Sequence, residues 1–177
     1  QAQPNPAHYA LTALENAHHF ETVITQNIDC LHQRAGFQKV LEVHGTLAHL
    51  TCTHCFRHYE AEQFLAPYIN DGIIPLCLEC KHILKPDVIF FEEELPLRTW
   101  QQAERAMRET DLLLVAGSSL VVVPMAGLLM RALENGAPLI MVNKTPTYLD
   151  VRANVVIPGD VADILPRLAH EVEVEGD

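Results

Sequence analysis

Three apolar runs restrict the fold of this chain more than any other feature: "DLLLVAG" from Asp111, "APLIMVN" from Ala137 and "ANVVIPG" from Ala153. None alternates apolar with polar residues, so each suits a strand covered on both faces, as in a parallel sheet. Helical patterns fall between and around them. Trp100, Ala103, Ala106 and Met107 mark a helix before the first run, and a second helix starts near Pro124 and stops at Asn135 and Gly136. Apolar strands alternating with helices specify an α/β fold with a doubly wound parallel sheet.

The N-terminal part adds to this pattern. Asn5 and Pro6 open a helix in which Ala7, Ala10, Leu11, Leu14 and Ala17 or His18 recur at helical spacing. A β-branched run, Thr22 to Thr25, implies a buried strand over Glu21–Gln26, and "KVLEVHG" reads as another strand ending at Gly45. In doubly wound sheets ligands gather at the carboxyl ends of the strands. Those ends carry Gln26, Asn27 and Asp29; His44; Gly117, Ser118 and Ser119; Asn143; and Gly159 with Asp160. Amides and a carboxylate at the end of a buried strand are costly to desolvate unless something satisfies them. A turn is one answer, with Asp29 capping a short helix over Cys30–Ala35, but it gives Gln26 no role. Glycine and serines ahead of a helix admit an anionic or hydroxyl-rich ligand, although such turns are also ordinary connections. Asn143 is placed either to bond a ribose or to close a turn.

Five cysteines lie at 30, 52, 55, 77 and 80, four of them as "CTHC" and "CLEC" with 21 residues between. Two such knuckles complete a tetrahedron of thiolates around zinc, with Cys52, Cys55, Cys77 and Cys80 as ligands. Disulfides are the competing use, and His54, His58 and His82 are nearby donors, but four thiolates already close the site. A closed site leaves no position for water, so the zinc is expected to be structural. Cys30 reads as a small core residue. The zinc-binding module spans 46–84, as an insert in a Rossmann-like domain made of 1–45 and 85–177.

Twelve Lys plus Arg against 23 Asp plus Glu give a net charge of −11, which argues against a nucleic-acid surface. No apolar stretch reaches the length of a membrane span and "QAQPNPAHYA" lacks a signal-peptide core, so a cytoplasmic location without membrane contact is expected. The eight glycines never form G-x-G-x-x-G, and the chain opens on a helix. The first strand and phosphate loop of such a fold are therefore expected to be missing.

Taken in order, "TQNIDCLHQRAG", "LEVHG", the two cysteine knuckles, "LKPDVIFFEE", "GSSLVVVP", "VNKTPT" and "DVADILPRL" resemble the sirtuin family of NAD-dependent protein deacylases, over nearly the whole chain. The resemblance implies a role at each position. Gln26 would face the nicotinamide ribose, and Asn27, Asp29 and the backbone of Ile28 would hold the nicotinamide carboxamide, whose donor and acceptor suit an amide plus a carboxylate. Gly117, Ser118 and Ser119 would meet the phosphate and ribose region, Asn143 the adenine ribose and Val161 the adenine. Val88 and Phe91 would flank the tunnel for acyl-lysine, and the loops after Phe91 and Ser119 would clamp the substrate peptide as an added strand. His44 matches the general base, which would deprotonate a ribose hydroxyl after nicotinamide leaves; imidazole is the side chain suited to that task near neutral pH. Free lysine, nicotinamide and an O-acyl-ADP-ribose would be the products, from acyl-lysine proteins or peptides as partners.

Two departures accompany the resemblance. Glu92 stands where the family usually has glycine, which weakens the peptide clamp if that position needs a positive φ. The family's opening strand, Gly-Ala-Gly phosphate loop and flexible cofactor-binding loop are also absent, so acyl-chain preference is not legible. A catalytically silent, zinc-stabilised binding module is the alternative from another class. The presence of His44 beside Asn27 and Asp29 favours the enzyme. Nothing in the sequence fixes oligomeric state.

Overall fold

The computed structural model describes residues 2–121 and 123–175; Val122, within "GSSLVVVP", lies outside them. In chain order the elements are α1 (Pro6–Asn16), β1 (Val23–Thr25), α2 (Leu31–Arg34), β2 (Val40–Glu42), β3 (Gly45–Cys52), β4 (His58–Glu60), α3 (Glu62–Asp71), β5 (Leu84–Val88), α4 (Leu97–Glu109), β6 (Leu113–Ala116), α5 (Val123–Glu134), β7 (Leu139–Asn143), β8 (Val155–Pro158) and α6 (Val161–Glu175). Among the described residues, no helix is long and apolar enough to cross a membrane.

Packing gathers the chain into two compact units. One contains Gln1–Val23, Leu31–Leu41 and Arg98–Asp177; the other contains Ile24–Cys30 and Glu42–Leu97. The second takes in more than the 46–84 segment distinguished by composition, because β3 starts at Gly45 and pairs with β5 beyond the cysteines.

In the first unit β6, β7 and β8 form a parallel sheet in that order, in register Leu113↔Leu139 and Ile140↔Val155. The α1 helix begins where the sequence places it: the Asn5 side chain accepts from the N–H groups of Ala7 and His8, and Pro6 fills the first turn, where no N–H is needed. Its buried face, Ala7, Ala10 and Leu14, packs with Val142, Leu165 and Ala169. The alanines give the helix a flat face, while Leu14, buried like the strand residues, contributes roughly 2–3 kcal/mol. The strand β8 departs from expectation. Val155 and Val156 stay 46% and 44% exposed, because β8 is an edge with β7 on one side only.

In the second unit β4, β3 and β5 form an antiparallel sheet with β3 central. Pro86 fits within β5 because that strand is an edge and one side of it needs no N–H donor. Thr51 of β3 donates to Asp87 of β5 and meets Nδ1 of His58 on β4, a polar pin across three strands. Leu50, Cys52, Ala61, Cys77 and Leu84 make a small core beneath the cysteines.

Two strand readings change. The expected Glu21–Gln26 strand is confined to Val23–Thr25 and is half-buried, not covered on both faces. "KVLEVHG" is not one strand: β2 ends at Glu42, Val43 and His44 turn, and Gly45, at φ 77°, opens β3. Hydrogen bonds from Val23 N–H to Lys39 and from Val43 N–H to Thr25 advance together along β1 and β2, the pattern of a parallel pair.

Candidate active site

The cysteine knuckles are built alike. The N–H of Cys52 donates to the Arg57 carbonyl and that of Cys77 to the His82 carbonyl; Phe56 and Lys81 then return their N–H groups to Cys52 and Cys77. Both returning residues are left-handed, at φ 57° and 63°, so each thiol pair is held on the same tight turn. The four Sγ atoms lie within 4.8 Å of one another, with Cys52–Cys80 at 3.4 Å and Cys55–Cys77 at 3.6 Å. No pair is bonded as a disulfide. Zinc–sulfur bonds of about 2.3 Å in a tetrahedron require sulfurs about 3.8 Å apart, so the four thiols fit one zinc ion with no further ligand. Burial pushes the Cys77 thiol up, but the Tyr59 hydroxyl and the N–H groups of Cys80 and Glu79 outweigh it and bring it down to about 5. A thiolate is thus available for a metal.

Within the same unit a cavity of about 420 Å³ is lined by Gln26, Asn27, Ile28, Asp29, His44, Val88 and Ile89. Local structure explains how they converge. Asn27 N–H donates to Thr25 Oγ1 and Leu47 N–H to the Ile28 carbonyl, which ties the segment after β1 to β3. Ile89 N–H donates to the His44 carbonyl at 2.9 Å, so the end of β5 is fixed to the turn that carries the imidazole. Nε2 of Gln26 is buried and has no hydrogen-bond partner in the protein. A buried amide donor left unsatisfied costs roughly 1–3 kcal/mol, so this wall has a donor open to a ligand. Cys30 is half-buried, not core, with Sγ 3.1 Å from Thr46 Oγ1.

The other expected cofactor residues meet in the first unit. Gly117, at φ 64°, donates its N–H to the Val142 carbonyl and faces Val161, whose methyl would lie 3.6 Å from a Cβ at that position. The Asn143 side chain bonds Ser118 at both ends, Oδ1 accepting its N–H and Nδ2 donating to its carbonyl, each at 3.0 Å. It therefore sets the shape of the Gly117–Ser118 turn, and the second lone pair and second amide proton are what remain for a ligand. Asp160 caps α6 by accepting from Ala162 and pairs with Lys144 at 2.7 Å. Lys144 above all, then the Ala162 N–H, holds its carboxyl below the usual range.

Phe91 and Ser119 are exposed, Phe91 completely. Sequence reasoning missed Ile89 as a wall residue. Consecutive residues point to opposite faces only inside a strand, and β5 ends at Val88, so the alternation that would exclude Ile89 no longer applies. The position where the family usually has glycine does need a positive φ: Glu92 adopts φ 71°.

Comparison with known proteins identifies the family and the fold. The Sir2 family model matches residues 1–124. The NAD-dependent protein deacylase 2 of Archaeoglobus fulgidus is 44% identical over 173 residues, which cover 97% of this chain and 68% of that protein. The NAD-dependent protein deacetylase of Thermotoga maritima is 38% identical over 171 residues, 97% of this chain and 69% of its own. Among solved structures, Sir2Af2 bound to a myristoylated histone peptide superposes with a TM-score of 0.91 at 43% identity, over 99% of this chain and 75% of that one. A Sir2–p53 peptide–NAD+ structure gives 0.90 at 37% identity, over 98% and 72%. With a family model matching residues 1–124 and relatives of 38–44% identity aligned over 97% of its length, the chain belongs to the Sir2 family, the sirtuins.

Proposed function

We infer that the protein is an NAD-dependent protein lysine deacylase, which transfers the acyl group of an acyl-lysine side chain to ADP-ribose and releases nicotinamide. One observation carries the reading: a buried, unsatisfied Gln26 amide in a cavity that also holds Asn27, Asp29 and His44. The donor set fits a carboxamide, with the Asn27 and Asp29 oxygens as acceptors and amide or backbone N–H groups as donors. NAD, when bound, supplies the ADP-ribosyl group that accepts the acyl group. The chain's own residues do the rest. Asn27, Ile28 and Asp29 hold and orient the carboxamide end, Gln26 donates toward the ribose, and Gly117, Ser118, Ser119, Asn143 and Val161 serve the rest of the nucleotide. Val88, nearly buried, gives the wall an apolar lining that excludes water from the acyl chain. The His44 imidazole would accept the proton of a ribose hydroxyl of bound NAD, and the hydrogen bond from Ile89 N–H to the His44 carbonyl fixes the backbone that carries it. The four cysteines hold the sheet of the same unit together and move no proton in the reaction.

The test separates binding from chemistry. His44→Ala should lower turnover of an acyl-lysine peptide roughly a hundred- to ten-thousandfold while NAD affinity changes little, since a general base acts mainly in the transition state. Asp29→Ala should weaken NAD binding, because a carboxamide contact is made already in the ground state. Near-normal turnover by His44→Ala would refute the assignment.

A further inference from the structure

We propose that Lys85 and Glu93 form a positioning pair that holds the peptide-binding end of β5, and that this pair is what allows Glu92 to occupy a left-handed turn. The proposal rests on the deacylase reading. The strand β5 leads into the loop after Phe91, one of the two loops expected to clamp the substrate peptide as an added strand. It runs directly into the cavity wall at Val88 and Ile89, and then into the fully exposed Phe91.

The segment after β5 is wrapped around one ammonium. Lys85 Nζ donates to the Val88 carbonyl at 2.9 Å and to Glu93 Oε2 at 3.0 Å, and lies 4.8 Å from the centre of the Phe90 ring. The same Glu93 oxygen accepts the Phe90 N–H at 2.9 Å, while the Glu93 N–H returns to the Phe90 carbonyl at 3.1 Å. Phe90 to Glu93 is thus a four-residue turn closed from both sides. Its third position, Glu92, has the positive φ of a type II turn, where glycine is the favoured residue. A non-glycine residue persists in that region only where surrounding contacts over-determine it. Here those contacts are the Lys85 and Glu93 bonds. The Phe90 N–H, then the Lys85 ammonium, holds the Glu93 carboxyl below the usual carboxylate range, consistent with a charged acceptor in place at neutral pH.

Neither side chain lines the cavity, and Lys85 reaches the wall residue Val88 only at its carbonyl, so both act through the backbone of residues 88–93. Lys85→Met should therefore raise KM for an acetyl-lysine peptide about tenfold, with KM for NAD within about twofold of the wild type. Lys85→Met combined with Glu92→Gly should recover most of that loss, because glycine holds the turn unaided. Anisotropy of a fluorescein-labelled acetyl-lysine peptide should show the same order of affinities without any turnover. An unchanged peptide KM in Lys85→Met, an equal rise in both KM values, or no recovery on adding Glu92→Gly would overturn the proposal. A wild-type protein that binds the peptide but releases no nicotinamide refutes the deacylase reading alone, and the anisotropy series then still decides the pair; one that does not bind the peptide overturns both.

Discussion

Gly45 is the residue at which a single methyl group should do most harm. It opens β3 opposite Val88, at φ 77°, and a Cβ added there would stand 1.9 Å from the Asp87 carbonyl oxygen and 3.2 Å from Val88 Cα. Carbon and oxygen approach comfortably to about 3.3 Å, so β3 and β5 must open by roughly 1.4 Å. The left-handed backbone costs alanine roughly 1–2 kcal/mol, and forcing the strands apart roughly 1–3 more. Alanine's smaller unfolded-state entropy offsets less than about 1 kcal/mol of this. Gly45→Ala should thus lose roughly 2–4 kcal/mol, a large share of the roughly 5–15 typical of a domain. Gly72 supplies the control. It has φ 67° with nothing within 4 Å of a Cβ, so Gly72→Ala carries the conformational cost alone, roughly 1 kcal/mol. Urea unfolding of the two variants isolates the clash as their difference. Because His44 precedes Gly45 and its carbonyl holds Ile89, Gly45→Ala should also lose deacylation while Gly72→Ala keeps it. If Gly45→Ala were no less stable than Gly72→Ala, the close approach of β3 to β5 would be wrong.

The remaining expectations are simpler. Cys52→Ser should release zinc and loosen the core of Leu50, Cys77 and Leu84, since the thiolates lose their common partner; metal analysis showing one zinc per chain in that variant would contradict the site. Asn143→Ala removes both bonds to Ser118 and should raise KM for NAD several-fold by freeing the Gly117–Ser118 turn, with peptide affinity by anisotropy unchanged. The Lys144–Asp160 pair sets a pH dependence whose sign comes from the lowered Asp160 carboxyl and the raised Lys144 ammonium. The carboxyl's contribution is complete above about pH 4 and is lost as pH falls through its lowered value, so the melting temperatures of wild type and Lys144→Met should converge on acidification.

Local chemistry alone determined several features of this protein. The N-cap at Asn5 and Pro6, the three apolar runs that became β6, β7 and β8, and the cysteine spacing each depend on interactions spanning a few residues or on a ligand of fixed geometry, and such rules are written along the chain. Polar residues at strand ends were legible for the same reason, since a buried amide without a partner is improbable wherever the chain goes. Tertiary structure decided the rest. Whether Val155 is covered depends on how many neighbours β8 has, and no residue of β8 encodes that number. The division of "KVLEVHG" into β2, a turn and β3 goes with the pairing of Gly45 to Val88, far along the chain, where β5 leaves no room for a Cβ. Asn143 looked like a ribose ligand or a turn residue, and its two hydrogen bonds with Ser118 exist only because parallel β6 and β7 end side by side. A one-dimensional pattern records which faces and ends need partners; the approach of distant backbones decides which partners they find.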